Sequence, residues 1–322
     1  MSKKSAYTQR AWLAPAATVL LFAIIAVAGW LSPSYTTGLL IDCLIFSIFA
    51  LGLNLLLGYT GLPSLGHAAY FGVGAYTAGL MMLHVTPSFW WCALAAIGVS
   101  LAFGALYGLL SLRTSGVFFL IITLALGQIT WAIAFSWRSL TGGDDGLRGI
   151  GRPDLGLGLS LQSNNDYFLF ALLALALTLF VVRLIVRSPF GAALRGDSQN
   201  PERLAALGYN VWLCRFLSFV ISAGISGFAG VIFVFYKGFV SPEAVGIVIS
   251  AEVMLMVIIG GAGTLLGPIL GAFVVVYLGH SVSSHTDRWM TILGVLYVAV
   301  VLFAPHGIVR AIGNKLAIRK SS

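Results

Sequence analysis

Apolar runs of about twenty residues follow one another along nearly the whole chain, and no other feature limits its fold so tightly. A run of that length crosses about 30 Å of hydrocarbon as a helix. Backbone polar groups find no water inside a bilayer, so only helices or closed barrels span it, and the alternation of barrel strands is absent here. Composition agrees, since 59% of the residues are hydrophobic and 9% charged, against about 25% charged in a soluble domain. The expectation is an all-α integral membrane protein.

The runs predict about ten transmembrane helices, near residues 11–31, 38–57, 64–84, 88–111, 114–137, 166–186, 211–236, 247–260, 264–283 and 289–304. The first is too long for a signal peptide and has no small-residue cleavage site, so it is expected to stay as an anchor. Of the 18 Lys and Arg residues, thirteen fall on the side of the N-terminus and five on the other. The positive-inside rule then puts both termini of a multi-pass protein in the cytoplasm. The net charge of +8 follows from topology and from attraction to anionic lipid. Nothing resembles a nucleic-acid module.

Residues 138–165 form the largest loop on the outer side, glycine-rich and beside several of the chain's acids. Its length exceeds that of a simple connection. A landing surface for a soluble partner and an ordinary surface loop both remain open. The whole chain, 1–322, is expected to be one transmembrane domain.

The cytoplasmic segment 187–210, RSPFGAALRGDSQNPERLAALGYN, is polar yet carries the signals of a built structure. Asn200 can cap a helix that begins at Pro201 and Glu202, and Gly208 stands where a helix-ending glycine belongs. Leu204 and Leu207 are three apart, so they are expected to share a face and offer an apolar spot to a cytoplasmic partner. Arg195, Asp197, Glu202 and Arg203 are expected at its rim, where exposed charge pairs contribute little.

Two glycine-rich clusters, 58–79 and 260–272, interrupt the apolar sequence. Gly66, Gly72, Gly74, Gly260, Gly263, Gly267 and Gly271, with Ser222, Ser226 and Gly230 near 222–230, are candidates for close helix packing. A broken helix lining a polar cavity is the alternative at Gly61, Pro63 and Gly66. The clusters do not occupy equivalent places in a five-helix duplication, so no internal repeat is inferred.

Polar residues inside the spans are Asp42, Asn54, His67, Gln128 and Glu252. An acid near mid-membrane costs about 2.5–3.5 kcal/mol on insertion scales, so such groups should face a cavity or a partner. Asp42 lies near the outer end of its helix and is expected to reach the interface. Glu252 sits deeper, with a structural pairing, a pathway role and proton coupling all open. His67 is expected to cap or pack. Cys43, Cys92 and Cys214 have no metal-ligand spacing and read as packing residues, so no metal site and no disulfide are expected.

No GxxxxGK[ST], HExxH or GxSxG motif occurs, so no ATP hydrolysis or other catalysis is expected of this chain.

Three segments carry a family resemblance: LGLNLLLGYTGLPSLGHAAYFGVGAY (51–76), RGDSQNPERLAALGYN (195–210) leading into LSFVISAGISGFAG, and EVMLMVIIGGAGTLLGPILGA (252–272). Their order and spacing resemble the inner-membrane permeases of branched-chain amino acid ABC importers, of the LivM type. The resemblance implies a second, related permease, two cytoplasmic ATPase subunits holding ATP and Mg, and a periplasmic binding protein that delivers solute. It also implies that Arg195 to Gly208 engages an ATPase. Permeases for urea, short amides and aromatic acids are similar, so the solute stays open. The residues alone also leave an ion-coupled secondary transporter using Glu252, or an assembly subunit without a pathway. The N-terminal tail is shorter than in longer family members.

Overall fold

The computed structural model describes residues 33–283 except 154 and 157–160, with single positions at 29, 288, 291, 292, 294, 295 and 298. The expected spans 11–31 and 289–304 lie outside the described residues, apart from those single positions. Each expected run from 38–57 to 264–283 contains one helix. These are α1 (Ser34–Asn54), α2 (His67–His84), α3 (Phe89–Ser111), α4 (Val117–Ser136), α6 (Asn164–Arg187), α9 (Val211–Lys237), α10 (Ile247–Gly260) and α11 (Gly267–Ser283). Among the described residues there are also three short α-helices: α5 (Arg138–Thr141), α7 (Pro189–Gln199) and α8 (Pro201–Ala206). Helix α1 runs on into a π-helical turn, Leu55–Tyr59.

Among the described residues five helices are long and apolar enough to cross a membrane: α1 with its π turn, α3, α4, α6 and α9. Helices α10 and α11 are apolar but shorter. The surface fits lipid. Leu94, Phe118, Leu173 and Phe180 are exposed on α3, α4 and α6, whereas Ser47, Asn54, His67 and Ser222 are fully buried. Apolar groups outside and hydrogen-bonding groups inside is the arrangement a hydrocarbon solvent favours.

Helix α1 is the central pillar, packed against α6, α9, α10 and α11. Helix α9 crosses α1, α2 and α3. Small residues set that spacing. Gly74 on α2 lies against the backbone of Gly227, Gly230 lies against the Phe71 carbonyl, and Gly52 faces Ser222 and Ser226. Water-driven burial offers little between helices in lipid, so such backbone proximity supplies dispersion contacts that larger residues would block. Aromatic rings fill the wider gaps, with Phe49 and Phe71 stacked at 4.7 Å.

The loop 138–165 folds back on the end of the bundle. Strand β1 (Leu147–Arg148) pairs antiparallel with β2 (Phe239–Val240), Leu147 opposite Val240. No strand was expected here; two residues are too few to show an alternating pattern. Arg152 ties the loop together, donating to the carbonyls of Leu161 (2.9 Å) and Gln162 (2.6 Å) and to Asn164 Oδ1 (2.7 Å).

Candidate functional site

At one end of the bundle, segment 187–210 forms two consecutive helices, where the sequence had indicated one. Ser188 caps α7 by accepting from the Gly191 amide, with Pro189 as its first residue. Asn200 Oδ1 accepts from the Arg203 amide at 2.9 Å and caps α8, which starts at Pro201. At the far end Gly208 has φ +87°, a left-handed conformation natural to glycine. Its amide bonds to the Ala205 carbonyl (2.9 Å), and that of Tyr209 to Leu204 (3.4 Å), the paired bonds of a Schellman ending.

Leu204 and Leu207 do not share an outward face. Leu204 is 5% exposed and packs near Gly196 of α7, while Leu207 is 76% exposed. Helix α8 ends at Ala206, so Leu207 is already its C-cap and leaves the helical face. The rim charges are also divided. Glu202 and Arg203 are exposed, but the Asp197 side chain is fully buried and takes a bidentate contact from Arg215 of α9, at 2.7–3.1 Å. Arg195 donates to the Val186 carbonyl at 2.8 Å. Asp197 and Arg195 fasten α7 to the bundle, because a carboxylate this close to the core needs a cation to remain charged.

Helix α7 also touches the first glycine break. Gly61 has φ +77°, and a Cβ there would lie 3.2 Å from Ser198 Cβ. The two breaks meet each other: a Cβ on Gly58 would run into Gly263 and Asn54. Asn54 joins them, its Oδ1 accepting from the Gly263 amide and its Nδ2 donating to the Thr264 carbonyl, both at 2.9 Å. Gly260 lies against Gly267, and Gly271 against the Met256 carbonyl, so α10 and α11 close tightly around this link. Gly66 lies against the Thr123 carbonyl of α4, and Gly72 against Val245.

His67 is fully buried at the first turn of α2. Its Nε2 lies 2.8 Å from Ser222 Oγ, its Nδ1 2.9 Å from Ser64 Oγ, and Ser222 donates its only proton to the Gly52 carbonyl at 2.5 Å. Nε2 must therefore carry the ring proton, and Nδ1 accepts from Ser64. Nε2, through Ser222, joins α1, α2 and α9, while Nδ1 holds the turn that leads into α2.

Asp42 is enclosed by its neighbours. It is 6% exposed, and Lys237 Nζ lies 2.9 Å from each of its oxygens, with His280 Nε2 at 3.8 Å. The cation at the end of α9 offsets part of the cost of burying this acid. Gln128 is half-buried on α4. Glu252 lines a cavity between α1, α10 and α11. Sequence reasoning missed Lys237 and Arg215 as partners; the available signal was that each buried acid demands a cation, and both lie at the ends of α9. Among the described residues no group of three His, Cys, Asp or Glu is placed to hold a metal ion.

Long lipid-facing helices around a polar, hydrogen-bonded interior, with capped helices packed at one end, define a multi-pass helical membrane protein. The sequence model of the branched-chain amino acid transport system permease component matches residues 35–304, and the chain belongs to that family. It is 32% identical over 82% of its length to the high-affinity branched-chain amino acid transport permease LivM of Salmonella typhimurium, covering 68% of that protein. To LivM of Escherichia coli K12 it is 30% identical, covering 87% of this chain and 71% of the relative. The probable branched-chain permease LivH of Methanocaldococcus jannaschii is 24% identical over 84% of this chain. No solved structure matches it.

Proposed function

We propose that this chain is the permease subunit of an ATP-driven importer that moves branched-chain or related amino acids across the inner membrane into the cytoplasm. Its similarity to the LivM permeases over most of its length carries the solute class. Both termini and segment 187–210 face the cytoplasm in this reading, and loop 138–165 faces the periplasm. A second permease such as a LivH-like chain completes the pathway, two ATPase subunits supply ATP and Mg, and a periplasmic binding protein delivers the solute.

The observation that supports energy coupling is the seating of α7 and α8. They are capped helices fixed to α9 by Asp197 and Arg215, and Ser198 touches the Gly61 break, so a push on them reaches the interior. ATP binding and hydrolysis on the partner would then bias one access state against the other.

Reconstitution tests this reading. L-leucine uptake into proteoliposomes is expected only when this chain, the second permease, the ATPases, the binding protein and ATP are all present. Uptake by the purified chain alone, driven by a proton or sodium gradient, would show a secondary transporter instead.

A further inference from the structure

The cavity between α1, α10 and α11 has a volume of about 240 Å³, and its wall includes Phe46, Glu252, Met256, Val275, Val276 and His280. Pockets for drug-sized ligands measure about 300–1,000 Å³, so this one suits a smaller solute. Glu252 is five residues beyond Ile247, the first residue of α10, roughly 7.5 Å from its start by helical rise. Among the described residues its carboxylate enters no hydrogen bond and no ion pair. The nearby Asp42, by contrast, has Lys237 at 2.9 Å.

An unpaired carboxylate flanked by apolar helix surface is costly against lipid. It is useful where a cationic group arrives from solution, and the aliphatic and aromatic wall beside it suits an apolar side chain. We propose that Glu252 receives the ammonium group of an amino-acid solute in this cavity, while Phe46, Met256, Val275 and Val276 receive its aliphatic side chain. The site rests on the permease reading above. It assigns part of the selection for zwitterions to the permease itself.

The test uses the complete complex in proteoliposomes, with L-leucine as probe. If the wild type carries none, the permease reading falls and the site with it. If the wild type carries leucine and Glu252→Gln carries it equally well, the site alone is wrong. The expected result is a fall of about tenfold or more for Glu252→Gln, the scale of a lost hydrogen bond to a charged group, with part of the rate restored in Glu252→Asp.

A second measurement decides should Glu252→Gln fail to assemble. In Ser283→Cys, whose side chain lines the same cavity, thiol modification at residue 283 is followed by mass spectrometry. L-leucine is expected to slow it while 4-methylpentanoate, which lacks the ammonium group, leaves it unchanged. Equal protection by both, or by neither, overturns the proposal.

Discussion

Arg215 grips Asp197 through two nitrogens, Nε and Nη2, across a sequence separation of eighteen residues, and so pins the middle of the pair α7 and α8 to the N-terminal part of α9. The Asp197 side chain is fully buried, and that of Arg215 is 24% exposed. The two ends of this contact are therefore unequal: the guanidinium retains some water, and the carboxylate has none. Losing the arginine leaves the more costly orphan.

Arg215→Ala is expected to cost about 3 kcal/mol, within the range for breaking a buried pair, and Asp197→Ala somewhat less. Thermal unfolding of the detergent-purified protein measures both. The double variant should be less destabilised than the sum of the two, because neither charge is then left alone. Full additivity would mean that the contact contributes nothing to holding α7.

Asn54 carries the second prediction, since it joins two glycine breaks about 210 residues apart through the Gly263 amide and the Thr264 carbonyl. Asn54→Leu keeps the side chain's bulk and leaves both backbone groups unpaired, at about 1–3 kcal/mol each if they stay dry. The expected readout is local. Thiol modification at Ala262→Cys, in the link beside Gly263, should accelerate in the Asn54→Leu background. An unchanged rate would show that the link is held by glycine packing alone.

These contacts also show why the sequence was readable in parts. The caps of α8 were legible because Asn200, Pro201 and Gly208 act within one turn of the helix they bound. Apolar run length located the eight long helices α1–α4, α6 and α9–α11 in the described region for the same local reason. The meeting of Gly58 with Gly263, and of Asp42 with Lys237 195 residues away, depends on how helices are arranged in space. Spacing within either cluster holds no record of that. The fate of Leu204 fell between these cases: its helix was legible, but the direction of its side chain depended on the unexpected helix α7, whose Gly196 leaves room for it.

That last difference separates two variants which the sequence treats alike. Leu207, at 76% exposed, can be changed to Asp with a stability effect within about 0.5 kcal/mol, as for most surface positions. Leu204→Asp places an unpaired carboxylate where the wild-type side chain is 5% exposed, and should destabilise the α7 and α8 pair by several kcal/mol. If an ATPase docks at this end, an exposed apolar anchor contributes about 1–2 kcal/mol to that contact. Leu207→Asp should then lower ATP-driven leucine uptake about tenfold while its melting temperature stays close to wild type. Leu204→Asp should lower both together. Normal uptake in a well-folded Leu207→Asp complex would remove Leu207 from the docking surface and leave the exposed Glu202 and Arg203 as its remaining candidates on α8.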